Sequence, residues 1–215
     1  MRLTAQQLRS RYALDYRVVT ALDGPVIAVR AFRSSRDLES NRNPITTPDD
    51  GHLAQRYRID YHVPTLIGPG RWQQTTSVGF DLFSADNYPF GEPVTSVISA
   101  ETPYSPHFRK GAPVCIGEFW QEANGQLLLA HLVLHVARLL NWDEVARGGG
   151  YQGWNGEAIR YHREHYGNRA LNPDLKLPVP PVHLTHDALD DALLFSSGHG
   201  AVPRRNDDDL FAPAG

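Results

Sequence analysis

The sequence has almost no cysteine: one thiol, Cys115, stands in 215 residues. A lone cysteine closes no internal disulfide and builds no cysteine zinc site, which excludes a disulfide-stapled secreted domain. Long apolar runs are missing too. The most apolar stretch, LLLAHLVLHVARLL, is broken by His131, His135 and Arg138, and is too short and too polar to span a bilayer. The opening MRLTAQQLRSRY holds no apolar signal core. Neither sign of charge dominates: Lys and Arg number 21, Asp and Glu 24, for a net charge of −3. The two signs are interspersed, so neither nucleic acid nor an anionic membrane is an expected partner. These absences lead to the expectation of a soluble, cytoplasmic protein.

What is there suffices for a core. The apolar fraction is 41%, and the length suits one domain of roughly 150–180 residues with loops and a tail. Thr4 and Gln7 form a capping-box pattern, and Leu8, Tyr12 and Tyr16 then recur every four residues, predicting an amphipathic first helix. Gly24-Pro25 breaks the chain before a β-branched strand, Val26–Phe32. Residues 34–55 are polar, with Pro, Asn and Asp-Gly, and read as a loop. Alternation of Tyr57, Ile59, Tyr61 and Val63 predicts one strand through YRIDYHVPTLIG, turned by Gly68-Pro69-Gly70. Thr75–Phe83 and Pro93–Ser99 supply two more strands.

Four consecutive strands with no intervening helix argue for an antiparallel meander in an α+β protein. Gln126–Asn141 is apolar on most of its surface and reads as a packed central helix. Gly148-Gly149-Gly150 reads as a flexible break, and Gly156–Tyr166 as a surface helix ended by Gly167. Residues 1–172 are thus expected to form one domain. Residues 173–215, Pro-rich and acidic, are expected to be a partly disordered extension with a short helix at Ala188–Phe195.

Between the strands and the central helix lies Tyr104–Trp120, YSPHFRKGAPVCIGEFW. A single thiol in a loop punctuated by Gly and Pro is a candidate nucleophile, although a free cysteine is also commonly a small buried hydrophobe. Upstream stands Tyr88-Pro89-Phe90-Gly91-Glu92-Pro93. Ser105-Pro106-His107 begins ten residues before Cys115, Gly111 lies between, and Val114-Cys115-Ile116 sets the thiol among apolar neighbours. Trp120 and the leucine-rich helix follow.

In these landmarks and their order, roughly residues 1–166 resemble the ubiquitin-conjugating enzyme (UBC) fold, in a divergent bacterial form. In that family a Tyr-Pro-Phe-x-x-Pro element follows a strand, and a His-Pro-Asn tripeptide precedes the catalytic cysteine. Here Ser105 stands for the His and His107 for the Asn. The triple glycine, the YQGWN segment at 151–155 and the tail depart from the eukaryotic pattern. The resemblance implies an N-terminal helix, a four-stranded antiparallel meander, a Cys-bearing loop, a core helix and a C-terminal helix. It also implies a conjugating enzyme that takes a ubiquitin-like modifier from an activating enzyme as a thioester on Cys115. The modifier then passes to an amine on a target protein, with no cofactor. The bacterial relatives make an antiphage role a fitting one.

The resemblance places His107 where the family's Asn assists the second transfer, and a histidine there makes that step pH-sensitive. The ring's other reading is a hydrogen bond to the loop backbone. Ser105, Pro106, Gly111, Glu118 and Trp120 are the supporting residues of the loop. Glu118, Asp143 and Glu144 are carboxylates that can receive the amine's proton, though each also reads as a solvated surface charge. Arg109 and Lys110 are the cations nearest the thiol in sequence.

No metal site is expected. His131 and His135 lack the intervening Glu of a zinc helix, since residue 132 is Leu, and His162 and His165 have no third ligand. A module of the same fold that binds a modifier or scaffolds a complex without catalysis is the second functional reading. A Cys/His hydrolase, for which no local signature exists, is the third.

Overall fold

A computed structural model describes residues 2–121, 125–143 and 153–180. The chain is an α+β protein whose main sheet has four antiparallel strands. Helix α1, Ala5–Thr20, opens it with the expected capping box: the Thr4 hydroxyl accepts from the Gln7 amide, and the Gln7 side chain accepts from the Thr4 amide. Strands β1 (Ile27–Phe32), β2 (Arg56–Tyr61), β5 (Thr76–Asp81) and β6 (Val94–Val97) pair in that order. Strands β3 (Thr65–Gly68) and β4 (Arg71–Gln73) make a separate hairpin. Helices α3 (Leu129–Asn141) and α4 (Gly156–Tyr166) follow the Cys loop.

Two expectations are corrected. The segment 34–55 contains helix α2, Ser35–Ser40, and a short 3-10 helix, Pro48–Leu53. Ser34 caps α2 through the Asp37 amide, and Leu38 alone is buried from it. A polar six-residue helix with one apolar contact leaves no periodic signal. The single strand expected from Tyr57 to Gly68 is two strands in different sheets, because Pro64 lacks the amide that a continuing ladder needs. Helix α3 begins at Leu129, after the start of its apolar pattern.

The register explains the core. Ile27, Tyr61 and Thr76 form one cross-strand row; Val29, Ile59, Val78 and Val97 the next; Ala31, Tyr57, Phe80 and Thr95 a third. Period-two alternation places all of them on one face, where they meet α1 and α3 in one continuous apolar cluster. The Tyr61 hydroxyl donates to the Val133 carbonyl of α3 at 2.9 Å, fixing helix against sheet. On the opposite face Arg58, Asp60 and Ser77 are linked by hydrogen bonds of 2.5–3.0 Å, with Arg30 paired to Asp60 at 3.2 Å.

One buried polar cluster joins α1 to the start of α3. Asp15 Oδ2 accepts from Arg11 Nε at 2.8 Å and from the Tyr88 hydroxyl at 2.6 Å, while Oδ1 accepts from the Leu129 amide at 2.8 Å. Arg11 also donates to the Gly125 and Leu127 carbonyls. Burial disfavours the guanidinium charge, but Asp15 outweighs it and holds Arg11 more firmly protonated than in water. The first turn of α3 is therefore capped by a carboxylate from α1, and His131 Nδ1 accepts the Leu128 amide beside it.

After α4, Leu171 and Asn172 bond to the end of α3, and Leu175 and Leu177 pack on the core. The boundary placed at 172/173 thus falls inside packed chain. Gly148–Gly150 and the segment Ala188–Phe195 lie outside the described residues. Among those described, no helix is long and apolar enough to cross a membrane.

Candidate functional site

The Cys loop hangs from the free edge of the main sheet. Ser96 bridges to Pro113, and the Val114 amide donates to the Thr95 carbonyl of β6 at 2.8 Å. Val114 and Ile116 are buried and Cys115 between them is half-buried. Burial of the two apolar neighbours anchors the loop while Cys115 between them stays partly accessible. The apolar-Cys-apolar spacing thus has a mechanical meaning.

His107 and Cys115 are held together by a reciprocal pair of bonds. The Cys115 amide donates to the His107 carbonyl at 2.9 Å, and His107 Nδ1 lies 3.1 Å from the Cys115 carbonyl. A carbonyl only accepts, so Nδ1 carries hydrogen in that bond. The backbone bond that one reading of His107 anticipated is present.

The other sequence candidates divide into supports and surface groups. Ser105 is buried with its hydroxyl 3.5 Å from the Leu139 carbonyl of α3, and the buried Pro106 accepts the Trp154 amide at 2.8 Å. Gly111 has φ of 72°, a left-handed turn that favours glycine. Trp120 is an anchor: it is buried, its indole donates to the Pro89 carbonyl at 3.0 Å, and it stacks on Tyr88 at 5.9 Å. Glu118 is exposed. Asp143 accepts from the Asn141 amide group at 2.7 Å, a structural role at the end of α3, and Glu144 lies outside the described residues. His135 stacks on Phe119 at 4.2 Å. Among the described residues no group of three or more His, Cys, Asp or Glu is placed to hold a metal.

Two features of the site escape sequence reasoning. Gly153 has φ of 133°, and a Cβ there would sit 2.5 Å from Pro106 Cβ. The chain ahead of α4 therefore lies directly on the Ser105-Pro106-His107 turn, in a contact only glycine permits. The signal that can be read is Gly153-Trp154-Asn155 ahead of a helix, with Asn155 capping the Ala158 amide. The second feature is a cleft of about 370 Å³ lined by Tyr104, Phe108, Arg109, Lys110, Trp154 and Asn155, among others. Compared with protein-family models, curated proteins and solved structures, the chain finds no match.

Proposed function

We propose that this protein is a conjugating enzyme of the UBC type, which carries a ubiquitin-like modifier as a thioester on Cys115 and passes it to a lysine amine. The observation that carries the reading is the thiol's setting. A half-buried cysteine sits at a sheet edge between two buried anchors and is tied through its own backbone to the residue that replaces the family's Asn. The order of α1, four-stranded meander, Cys loop, α3 and α4 supports it.

In the first transfer the Cys115 thiolate attacks the carbonyl of the activating enzyme's thioester and expels that enzyme's thiolate. Exchange between thioesters is nearly isoenergetic. In the second, the amine nitrogen attacks the same carbonyl, the C–S bond breaks, Cys115 leaves as thiolate and the amine loses a proton. A donor to the oxyanion of this step contributes ~3 kcal/mol in a preorganised site. His107, bonded to the Cys115 backbone, is the residue we assign to that role.

The same ring bond also favours the second reading, a non-catalytic module that binds a ubiquitin-like protein, since it gives His107 a structural task. One experiment separates the two. The protein is incubated with the activating enzyme and modifier encoded nearest to it, plus ATP, and run on a non-reducing gel. A reductant-sensitive adduct that disappears in Cys115→Ala is the expected result. If the activating enzyme charges itself and Cys115 takes up nothing, the transfer reading falls and the scaffold takes its place.

A further inference from the structure

The cleft beside the Cys loop has an uneven charge. Arg11, Arg30, Arg33, Arg56, Arg58 and Arg71 each lie within 4 Å of a carboxylate. Arg109 and Lys110 share with Arg9, Arg17 and Arg36 the lack of such a partner among the described residues, but they alone of these are adjacent to each other, exposed and on the wall of the cleft. In a chain whose net charge is −3, two neighbouring cations facing an open cavity call for an external anion. Tyr104, Phe108 and Trp154, the last 54% exposed, form the aromatic part of the lining, beside Thr102, Pro103, Asn155 and Gly156. The start of α4 adds little to the anion preference, because Asn155 already satisfies the Ala158 amide. Glu157, in the first turn of α4, is an acid close by.

A volume of about 370 Å³ is at the small end for ligand sites and suits one or two side chains of a peptide. Its wall is continuous with the Cys loop. Phe108 follows His107, whose carbonyl holds the Cys115 amide, and Trp154 is bonded to Pro106.

We propose that this cleft binds the acidic residues flanking an acceptor lysine, so that the protein selects amines set among Asp and Glu. The cations take the carboxylate, and the aromatic floor takes the aliphatic stem of the side chain beside it. The assignment of the peptide as acceptor rests on the transfer reading; the binding of an acidic peptide does not.

The test is a titration of the uncharged, full-length, 15N-labelled protein at low salt with two probes. One is acetyl-Gly-Asp-Lys-Glu-Gly-amide and the other its counterpart without acids, acetyl-Gly-Asn-Lys-Gln-Gly-amide. The chain has four tryptophans, so the Trp154 indole signal is assigned from Trp154→Phe. The acidic peptide is expected to shift that indole and the Phe108–Lys110 amides, with an affinity about threefold or more above the amide peptide, the scale of two exposed ion pairs. The preference shrinks at high salt and vanishes in Arg109→Gln/Lys110→Gln, whose unchanged dispersion elsewhere in the spectrum verifies folding. Equal binding of the two peptides, shifts confined to another surface, or full retention by the double variant overturns the proposal.

If Cys115 charges, discharge onto the acidic peptide is expected to be at least about threefold faster than onto the amide peptide; equal rates overturn the acceptor assignment. Selective binding without charging keeps the site and overturns the transfer reading alone.

Discussion

The substitution Asp15→Asn asks the most of the fold for the least change in shape. The Asp15 carboxylate accepts three bonds, from Arg11, Tyr88 and Leu129, with neither Arg11 nor Asp15 exposed by more than 3%. An amide has one acceptor oxygen. If that oxygen keeps the Leu129 amide, the NH2 group faces Arg11, and the guanidinium is left buried with no opposing charge. Breaking a buried pair from one side costs about 3–5 kcal/mol, a large share of the roughly 5–15 kcal/mol typical of a whole domain. With a urea slope of about 2 kcal/mol/M the midpoint falls by roughly 1.5–2.5 M.

Tryptophan fluorescence reads the transition, since Trp120 stacks on Tyr88, which the cluster holds. Adding Arg11→Met removes the stranded cation while the introduced amide oxygen still caps α3, so the double variant is expected to regain about 1–3 kcal/mol over the single. A loss below about 1 kcal/mol in Asp15→Asn, or no regain in the double variant, would show that the pair is solvated or unimportant and refute the argument.

Three further outcomes follow from the geometry. His162 is buried and stacked on Trp142 at 4.0 Å, and burial lowers its pKa to about 4. The unfolded chain therefore takes up a proton first, so stability is intact above pH ~6.5 and declines as pH falls toward 4, by about 1.4 kcal/mol per pH unit and roughly 3 kcal/mol in all. Urea midpoints from about pH 7 to about pH 5 should fall more steeply in wild type than in His162→Phe. Gly153→Ala places a methyl against Pro106 at a positive φ and is expected to cost about 1–3 kcal/mol. Hydrogen exchange at the Trp154 amide, bonded to Pro106 in the wild type, should accelerate. For the proposed transfer, His107→Ala, which loses the ring bond to the Cys115 carbonyl, should slow aminolysis by roughly 100-fold while charging of Cys115 is retained; an equal effect on both steps would remove His107 from the second transfer.

Much of the architecture could be read in the residues because it is dictated locally. Tyr57, Ile59 and Tyr61 alternate because one sheet face carries the core, and all three are buried. Helix α4 lies between Asn155 and Gly167, a cap and a stop that are visible as letters. The thiol's neighbours, Val114 and Ile116, announce their burial by type. What stayed hidden is what depends on partners distant in sequence. Helix α2 is held by one leucine that meets Gly79 across the sheet. Arg11 and Asp15 look like an ordinary i, i+4 surface pair until the Tyr88 hydroxyl and the Leu129 amide close over them. Gly153 looks like linker until Pro106 is seen beneath it. The Arg109–Lys110 wall needs Trp154 opposite before it becomes a cleft.

The cap of α3 has a consequence for the order of events during synthesis. Residue 15 and the amide it satisfies are 114 positions apart. At about 5–20 residues per second the N-terminal helix is made roughly 6–23 s before its partner exists. Through that interval Asp15 and Arg11 remain solvated, and the tyrosines of the first helix have only the early strands to pack against. When Leu129 emerges, one carboxylate caps the start of the central helix and joins it to α1, so a segment made early holds ready the cap of a helix made much later.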